Sequence, residues 1–339
     1  MKKNIALVYG GDSSEYEVSL KSGAHVAQHI DSERYNVWEV MMRGAEWWVV
    51  AGPDGDSKRY PVDKADFSFV IPAESGIGGT RVRFWKAFVM IHGTPGEDGL
   101  LQAYFEMVGM PFTTSPASVS LLTFNKYACK CFLRDAGVQM AREIFLRNTD
   151  VYNTFDIIAK LGLPLFVKPN SGGSSFGVTK VKRPEELAPA IAKAFEEDDA
   201  ILIEEFIDGR EMTNGVFENG VKDHGDDAPG GLFRLPVTEI VSDNEFFDYE
   251  AKYMGASQEI CPAPIPMELS NRIIDLSHRI YRHLGCRGIV RVDYIVRGGE
   301  IFFLEINTVP GMTEMSLVPQ QVRAAGLTIK EFLNHLLGV

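Results

Sequence analysis

The sequence predicts an α/β protein in which a doubly wound parallel-sheet domain at the N-terminus is followed by two α+β blocks. Three observations predict it. Over the first third, apolar strand-like runs alternate with glycine turns and amphipathic helices, the grammar of a parallel sheet. After TTSPASVS the order changes to helices and strands set around a glycine-rich loop. The chain has 339 residues, more than one ordinary domain, with 45% hydrophobic and 24% charged residues, so sizeable folded cores are expected.

The elements follow in order. Asn4 to Tyr9 reads as a buried strand, GGDSSE as a turn, and Val18 to Ile30 as an amphipathic helix. Trp85 to Ile91 is a second strand, ending in HGTPGEDG, and LLQAYFEMVGM a helix closed by Gly109 and Pro111. The next block holds helix FNKYACKCFLRDAG, strand PLFVK, a glycine-rich loop, a helix from Pro184 to Phe195 and strand AILIEEF. The last holds helix NRIIDLSHRIYRHLG, strands GIVRVDYIV and EIFFLEINT, and a helix from Ile329 to Leu337. This sets expected domains at 1–120, 121–208 and 209–339. The acidic, glycine-rich segment 221–236 reads as a surface insertion.

A net charge of −12 argues against a general nucleic-acid or anionic-membrane surface and leaves any polyanion to be held by local lysines. Cys129, Cys131, Cys261 and Cys286 form no C-x-x-C pair and have no zinc-type histidine spacing, so reduced thiols are expected. The apolar run at the N-terminus is too short for a signal core, and no run approaches the ~18 residues of a membrane helix. A cytoplasmic protein is expected.

KPNSGGSSFG, Lys168 to Gly177, joins two strands. Glycine and serine let backbone N–H groups approach an anion, and a lysine ending the strand supplies charge. Alone, the loop is equally a flexible hairpin; it has neither the P-loop order nor G-x-G-x-x-G.

The last two strands raise a question of parity. With period two, Arg291 and Asp293 share one face of the first, and Glu305 and Asn307 one face of the second, leaving Phe302, Leu304 and Ile306 on the reverse. Asp293 stands opposite Glu305 only if the connection is odd, so a three-residue loop Gly298, Gly299, Glu300 is predicted. Two carboxylates and an amide oxygen are hard ligands suited to magnesium. The alternative is a solvated edge.

GGDSSEYEVSLKSG, HGTPGEDG, KPNSGGSSFG, FDYEAKY, RVDYI and LEINTVPGMTEMSLVP, in this order along nearly the whole chain, resemble the D-alanine:D-alanine ligase family of the ATP-grasp superfamily. The resemblance implies an ATP-grasp fold in which two α+β subdomains clasp ATP. It implies ATP-dependent joining of two D-alanines through an acyl phosphate, for peptidoglycan precursors, by a homodimer using two magnesium or manganese ions and often a monovalent cation.

It also implies roles. Lys126 and Lys168 match phosphate contacts, with Gly173, Ser174 and Ser175 in the covering loop. Glu204, Glu205, Phe206 and Ile207 match the adenine hinge, and Glu211 the ribose acid. Asp293, Glu305 and Asn307 match metal ligands. Glu15 matches the carboxylate holding the first D-alanine's ammonium, with His92 in the same subsite. Ser316 and the Leu317 backbone match the site for the second carboxylate, and Arg291 and Gly311 the oxyanion donors. The segment 242–258 matches a lid in which Lys252 reaches the γ-phosphate and Tyr253 joins Glu15 and Ser174. Relatives that make D-alanyl-D-lactate lack this tyrosine, so D-alanine is expected over D-lactate as second substrate. Asn170 and Ser171 depart from a charged pair frequent in the family. A regulator that had lost catalysis would lack part of the metal set or Arg291, and both are present.

Overall fold

In the computed structural model, residues 2–53, 55, 58–75, 77–173, 177–218, 231–242 and 257–338 are described. The N-terminal sheet runs in the order Tyr60–Pro61, Glu46–Ala51, Tyr35–Arg43, Lys3–Gly10, Lys86–Val89. Lys3–Gly10 is parallel to both of its neighbours, and its residues are buried from Ile5 onward. Ile5, Leu7 and Tyr9 enter one hydrophobic core while Ala6 and Val8 enter another, as period two requires of a strand covered on both faces. The two outer strands are antiparallel additions that the alternating pattern does not forecast.

The remaining sheets are antiparallel: a two-stranded ribbon of Ser68–Pro72 with Gly79–Arg83, and two larger sheets. The central one runs Thr179–Val181, Leu165–Pro169, Ala200–Glu205, Glu143–Arg147, backed by helices Thr154–Leu161 and Leu187–Phe195. The C-terminal one runs Ser257–Ile260, Thr238–Ser242, Arg210–Val216, Val290–Arg297, Glu300–Asn307, with helix Met267–Leu284 on its apolar face. The final helix, Ile329–Leu337, begins with a capping box from Thr328 and Glu331 and shares a core with the first strand and first helix. The C-terminal end of the chain is thereby fastened to its beginning.

Several expectations change. The helix expected from Phe124 through Gly137 is two helices, Ala117–Phe124 and Lys126–Asp135, because Asn125 is extended and its side chain caps the second by accepting from Ala128 N. Helix Leu317–Ala324, headed by Ser316, was not anticipated. The segment expected as a surface insertion lies outside the described residues from 221 to 230. Its remaining part is not superficial: Leu235 is buried and Phe233 stacks on Phe217 at 4.4 Å. Among the described residues no helix is long and apolar enough to cross a membrane.

The three-residue loop is also corrected. Arg297 pairs with Glu300, so the connection is the two-residue turn Gly298–Gly299, both with positive φ (58° and 85°) as the mirror-image hairpin turn demands. Asp293 still opposes Glu305, because Tyr294 pairs with Phe303 and a β-bulge leaves Leu304 as the extra residue. The parity change sits in the strand and not in the loop. Ile301, Phe303 and Ile306 consequently face the core, whereas Phe302, Leu304 and Glu305 line the adjoining cleft.

Candidate active site

A cavity of about 820 Å³ is walled by residues of the central and C-terminal sheets. Lys168 and Glu204 enter it from the central sheet, Glu211 and Ile240 from the C-terminal sheet, and Asp293, Ile295, Phe302, Leu304 and Glu305 from the hairpin. Glu205, Phe206 and Ile207 lie on its rim where the chain passes between the sheets. Its chemistry is thus apolar strips beside fixed charges, a surface suited to a flat base with an anionic tail.

The charges form a buried chain. Lys168 Nζ lies 2.7 Å from Glu204 Oε2, while Lys130 Nζ pairs with Glu204 Oε1 and stands 3.1 Å from Glu143 Oε2. Burial alone would raise the Glu204 carboxyl, but Lys130 and Lys168 outweigh it and hold its pKa at about 2. Burial lowers Lys168, with Glu204 opposing, so its ammonium is poised to gain from a second anion. Lys126, at the start of its helix, donates to Gly172 O at 2.6 Å and lies 3.8 Å from Glu305 Oε2. Asn170 fastens the glycine loop to that helix, its side chain accepting from Tyr127 N and its carbonyl from Lys126 N. A neutral amide therefore has a structural task here.

Asp293 and Glu305 are direct cross-strand partners, and Arg291 opposes Asn307 one step along the same face. Asp293 accepts from Thr213 Oγ1 at 2.5 Å and is paired with Arg291, whose Nη2 lies 2.7 Å from Oδ2. Asn307 Oδ1 accepts from Val309 N. Two carboxylates and an amide oxygen beside Lys126 are oxygen donors of the kind magnesium takes, so the residues present fit that ion.

A second cavity, about 350 Å³, is lined by residues from the beginning and the end of the chain, including Glu15, His92, Arg291, Asn307, Gly311 and Ser316. Glu15, Lys126, Gly172, Gly173 and Glu305 border both cavities, which places the glycine loop between them. A β-carbon on Gly173 would stand 2.7 Å from Glu15 Oε2, and one on Gly311 2.9 Å from Ser316 Oγ. A side chain at either position would therefore displace Glu15 or Ser316. Ser316 and Leu317 head helix Leu317–Ala324 on the wall of this cavity; Ser316 N already donates to Thr313 O at 3.0 Å, which leaves the Leu317 end of the helix as the part that would favour a carboxylate. Ser316 Oγ already bonds Thr313 Oγ1 at 2.7 Å.

The fold thus gathers Lys126, Lys168, Gly173, Glu204, Glu205, Phe206, Ile207, Glu211, Asp293 and Glu305 around the large cavity. It gathers Glu15, His92, Arg291, Asn307, Gly311, Ser316 and Leu317 around the small one. Ser174, Ser175, Lys252 and Tyr253 lie outside the described residues, as does most of the lid. Sequence reasoning missed Lys130, Glu97, Phe302 and Leu304. The two-glycine turn was the signal for the last two, since an even connection with facing acids requires a bulge.

A lysine-bearing antiparallel sheet set across a cleft from an acidic hairpin, preceded by a parallel-sheet unit, is the architecture of ATP-grasp ligases. The family model described as D-ala D-ala ligase N-terminus matches residues 4–115, and that described as D-ala D-ala ligase C-terminus matches 132–338. The chain is 47% identical to a D-alanine–D-alanine ligase of Phocaeicola vulgatus over 338 residues, 99% of each chain. It is 48% identical to that of Parabacteroides distasonis over 99% of this chain and 97% of the relative. Among solved structures, a D-Ala:D-Ser ligase from Enterococcus faecalis is similar with a TM-score of 0.85 and 32% identity, covering 100% of this chain and 99% of its own. A D-alanine–D-alanine ligase from Bacillus anthracis complexed with ATP gives 0.76 and 29%, covering 99% and 96%. The chain belongs to the D-alanine–D-alanine ligase family.

Proposed function

We propose that this protein joins two D-alanines at the expense of ATP, releasing ADP and phosphate, to supply the terminal dipeptide of peptidoglycan precursors. The observation that carries the reading is the pairing of Asp293 with Glu305 on the hairpin face that borders both cavities, next to Lys126. In this reading the base lies between the hinge Glu204 to Ile207 and the strip Phe302, Leu304, with Glu211 on the ribose. Lys126, Lys168 and the loop of Gly173, Ser174 and Ser175 hold the phosphates, and Lys252 reaches the γ-phosphate. Glu15 holds the ammonium of the first D-alanine.

The carboxylate of that D-alanine attacks the γ-phosphorus, ADP leaves, and an acyl phosphate results. The second D-alanine, its carboxylate on Ser316 and the Leu317 N–H, attacks the acyl carbon as a free amine. Arg291 and the Gly311 N–H stabilise the oxyanion, and collapse expels phosphate as the peptide bond forms. Tyr253, linked to Glu15 and Ser174, closes the lid against water. Asp293, Glu305 and Asn307 would hold magnesium or manganese, which supplies charge neutralisation at the phosphates. We assign residues 1–120, 121–208 and 209–339 to three domains, and expect a cytoplasmic homodimer.

A coupled assay of ADP release tests this: D-alanine should drive turnover and L-alanine should not. With D-alanine as first substrate, D-alanine should also outcompete D-lactate and D-serine as the second. Turnover indifferent to D-alanine would reject the reading, and a preference for D-serine or D-lactate would reassign its second subsite.

A further inference from the structure

The small cavity is bounded by a hydrogen-bonded clamp that the roles above do not use. Met312 N donates to Ser22 Oγ at 3.2 Å, Ser22 Oγ meets His92 Nε2 at 3.1 Å, and His92 Nδ1 meets Val309 O at 2.7 Å. Glu97 closes the other side, its Oε1 accepting from Val309 N at 3.3 Å and its Oε2 from Gly93 N at 2.7 Å. Ser22, His92, Glu97, Val309 and Met312 are all buried. The partners come from opposite ends of the chain, 212 to 290 residues apart.

The two backbone ends fix the outer bonds of the chain. Val309 O can only accept, so the proton is on His92 Nδ1; Met312 N–H can only donate, so it takes a lone pair of Ser22. Ser22 keeps a second lone pair, so both ring nitrogens are occupied in either protonation state, and its hydroxyl donates to Nε2 when the imidazole is neutral. Burial lowers the His92 pKa, in keeping with that state. His92 borders the cavity, yet it has no ring nitrogen to offer a substrate.

Resting on the ligase reading, we propose that Ser22, His92 and Glu97 are positioning residues that pin the turn Val309 to Met312 on both sides of Gly311. They hold its N–H where the oxyanion forms. The turn is anchored before Gly311 at both polar groups of Val309, and after it at Met312 N. Gly311 itself lies against Ser316, so movement of the turn would disturb the second subsite as well. Misplacement of a donor by about 1 Å can lower turnover ~10²-fold without removing any group that touches substrate.

Ser22→Ala tests the clamp, because it deletes the central hydroxyl at nearly constant volume. The full chain is assayed for kcat, for KM of ATP and of each D-alanine, and for amide exchange of residues 309–312. The expected result is a fall in kcat of ~10²-fold, KM for ATP and the first D-alanine within about twofold of the parent, and faster exchange in the turn. Ser22→Thr, which restores the hydroxyl, should recover most of the lost kcat. Exchange reads the clamp independently of the substrate: a parent enzyme indifferent to D-alanine, with faster 309–312 exchange in Ser22→Ala, would support the clamp and reject the ligase reading. Unchanged exchange, or a raised KM for the first D-alanine at parental kcat, would overturn the clamp.

Discussion

The two cavities meet at Glu15, Lys126 and the glycine loop, but they are built on different principles. The large one is walled mainly by sheets, and part of its charge is neutralised in a buried ionic chain running from Glu143 through Lys130 and Glu204 to Lys168. The small one is lined largely from loops and helix starts. Its frame around Gly311 is a set of hydrogen bonds between residues distant in sequence. Damage to the first should therefore appear as lost charge balance and weaker nucleotide binding. Damage to the second should appear as misplaced groups and slower chemistry.

The sharpest way to break this contrast lies on the hairpin face that runs from the large cavity to the small one. Asp293→Asn keeps the shape of the hairpin and removes one negative charge from the face shared with Glu305, so kcat should fall by ~10²–10³-fold or more. If the carboxylates act by holding magnesium, raising its concentration should recover part of the loss, and a metal titration of variant against parent checks this. A variant with parental kcat would remove the hairpin from the chemistry.

Lys130→Met should have the next largest effect. Its side chain is only 1% exposed and it serves two carboxylates, so breaking the network should cost ~3–5 kcal/mol of stability. KM for ATP should also rise, because Glu204 is then balanced by Lys168 alone. The pH dependence has a definite sign. The folded pKa of Glu204, about 2, lies below its ordinary 4.5, so its contribution is complete above pH 4.5 and is lost as pH falls toward 2. In Lys130→Met the folded pKa rises, so this contribution is smaller and is exhausted at a higher pH, and acid unfolding monitored by circular dichroism should move to higher pH.

Much of the hairpin face was legible because strands repeat every two residues: Arg291 with Asp293, and Glu305 with Asn307, could be put on shared faces by counting, while what brings the two pairs together is a bulge and not the odd loop. Lys168 and its loop were legible from glycine and serine after an apolar run. Lys130 was not, since a lysine four residues after Lys126 on a polar helix reads as solvated until the packing places Glu143 and Glu204 against it. The clamp was less visible still. Nothing in the spacing of Ser22, Glu97 and Val309 announces that they meet, because only the packing of the C-terminal segment against the first helix brings them together. The motif around His92 marked the right region, and the tertiary contacts supplied its task.

The smallest predicted effect on turnover decides where the parity change in the hairpin lies. With an odd loop and a regular strand, Leu304 and Ile306 would share the core face, and shortening either would act alike. With the bulge at Leu304 they part company: Leu304 is half-buried on the wall of the large cavity, whereas Ile306 is 7% exposed within the core under the C-terminal sheet. Leu304→Ala should then raise KM for ATP by ~3–10-fold, the effect of losing part of one apolar contact with the base, while kcat and melting temperature stay near parental values. Ile306→Ala should lower stability by ~2–5 kcal/mol, as for a large-to-small change in a core, with KM for ATP nearly unchanged. Thermal melts and ATP saturation curves on the two variants separate these outcomes. Equal losses of stability with no change in KM for either would return Leu304 to the core and move the extra residue back into the loop.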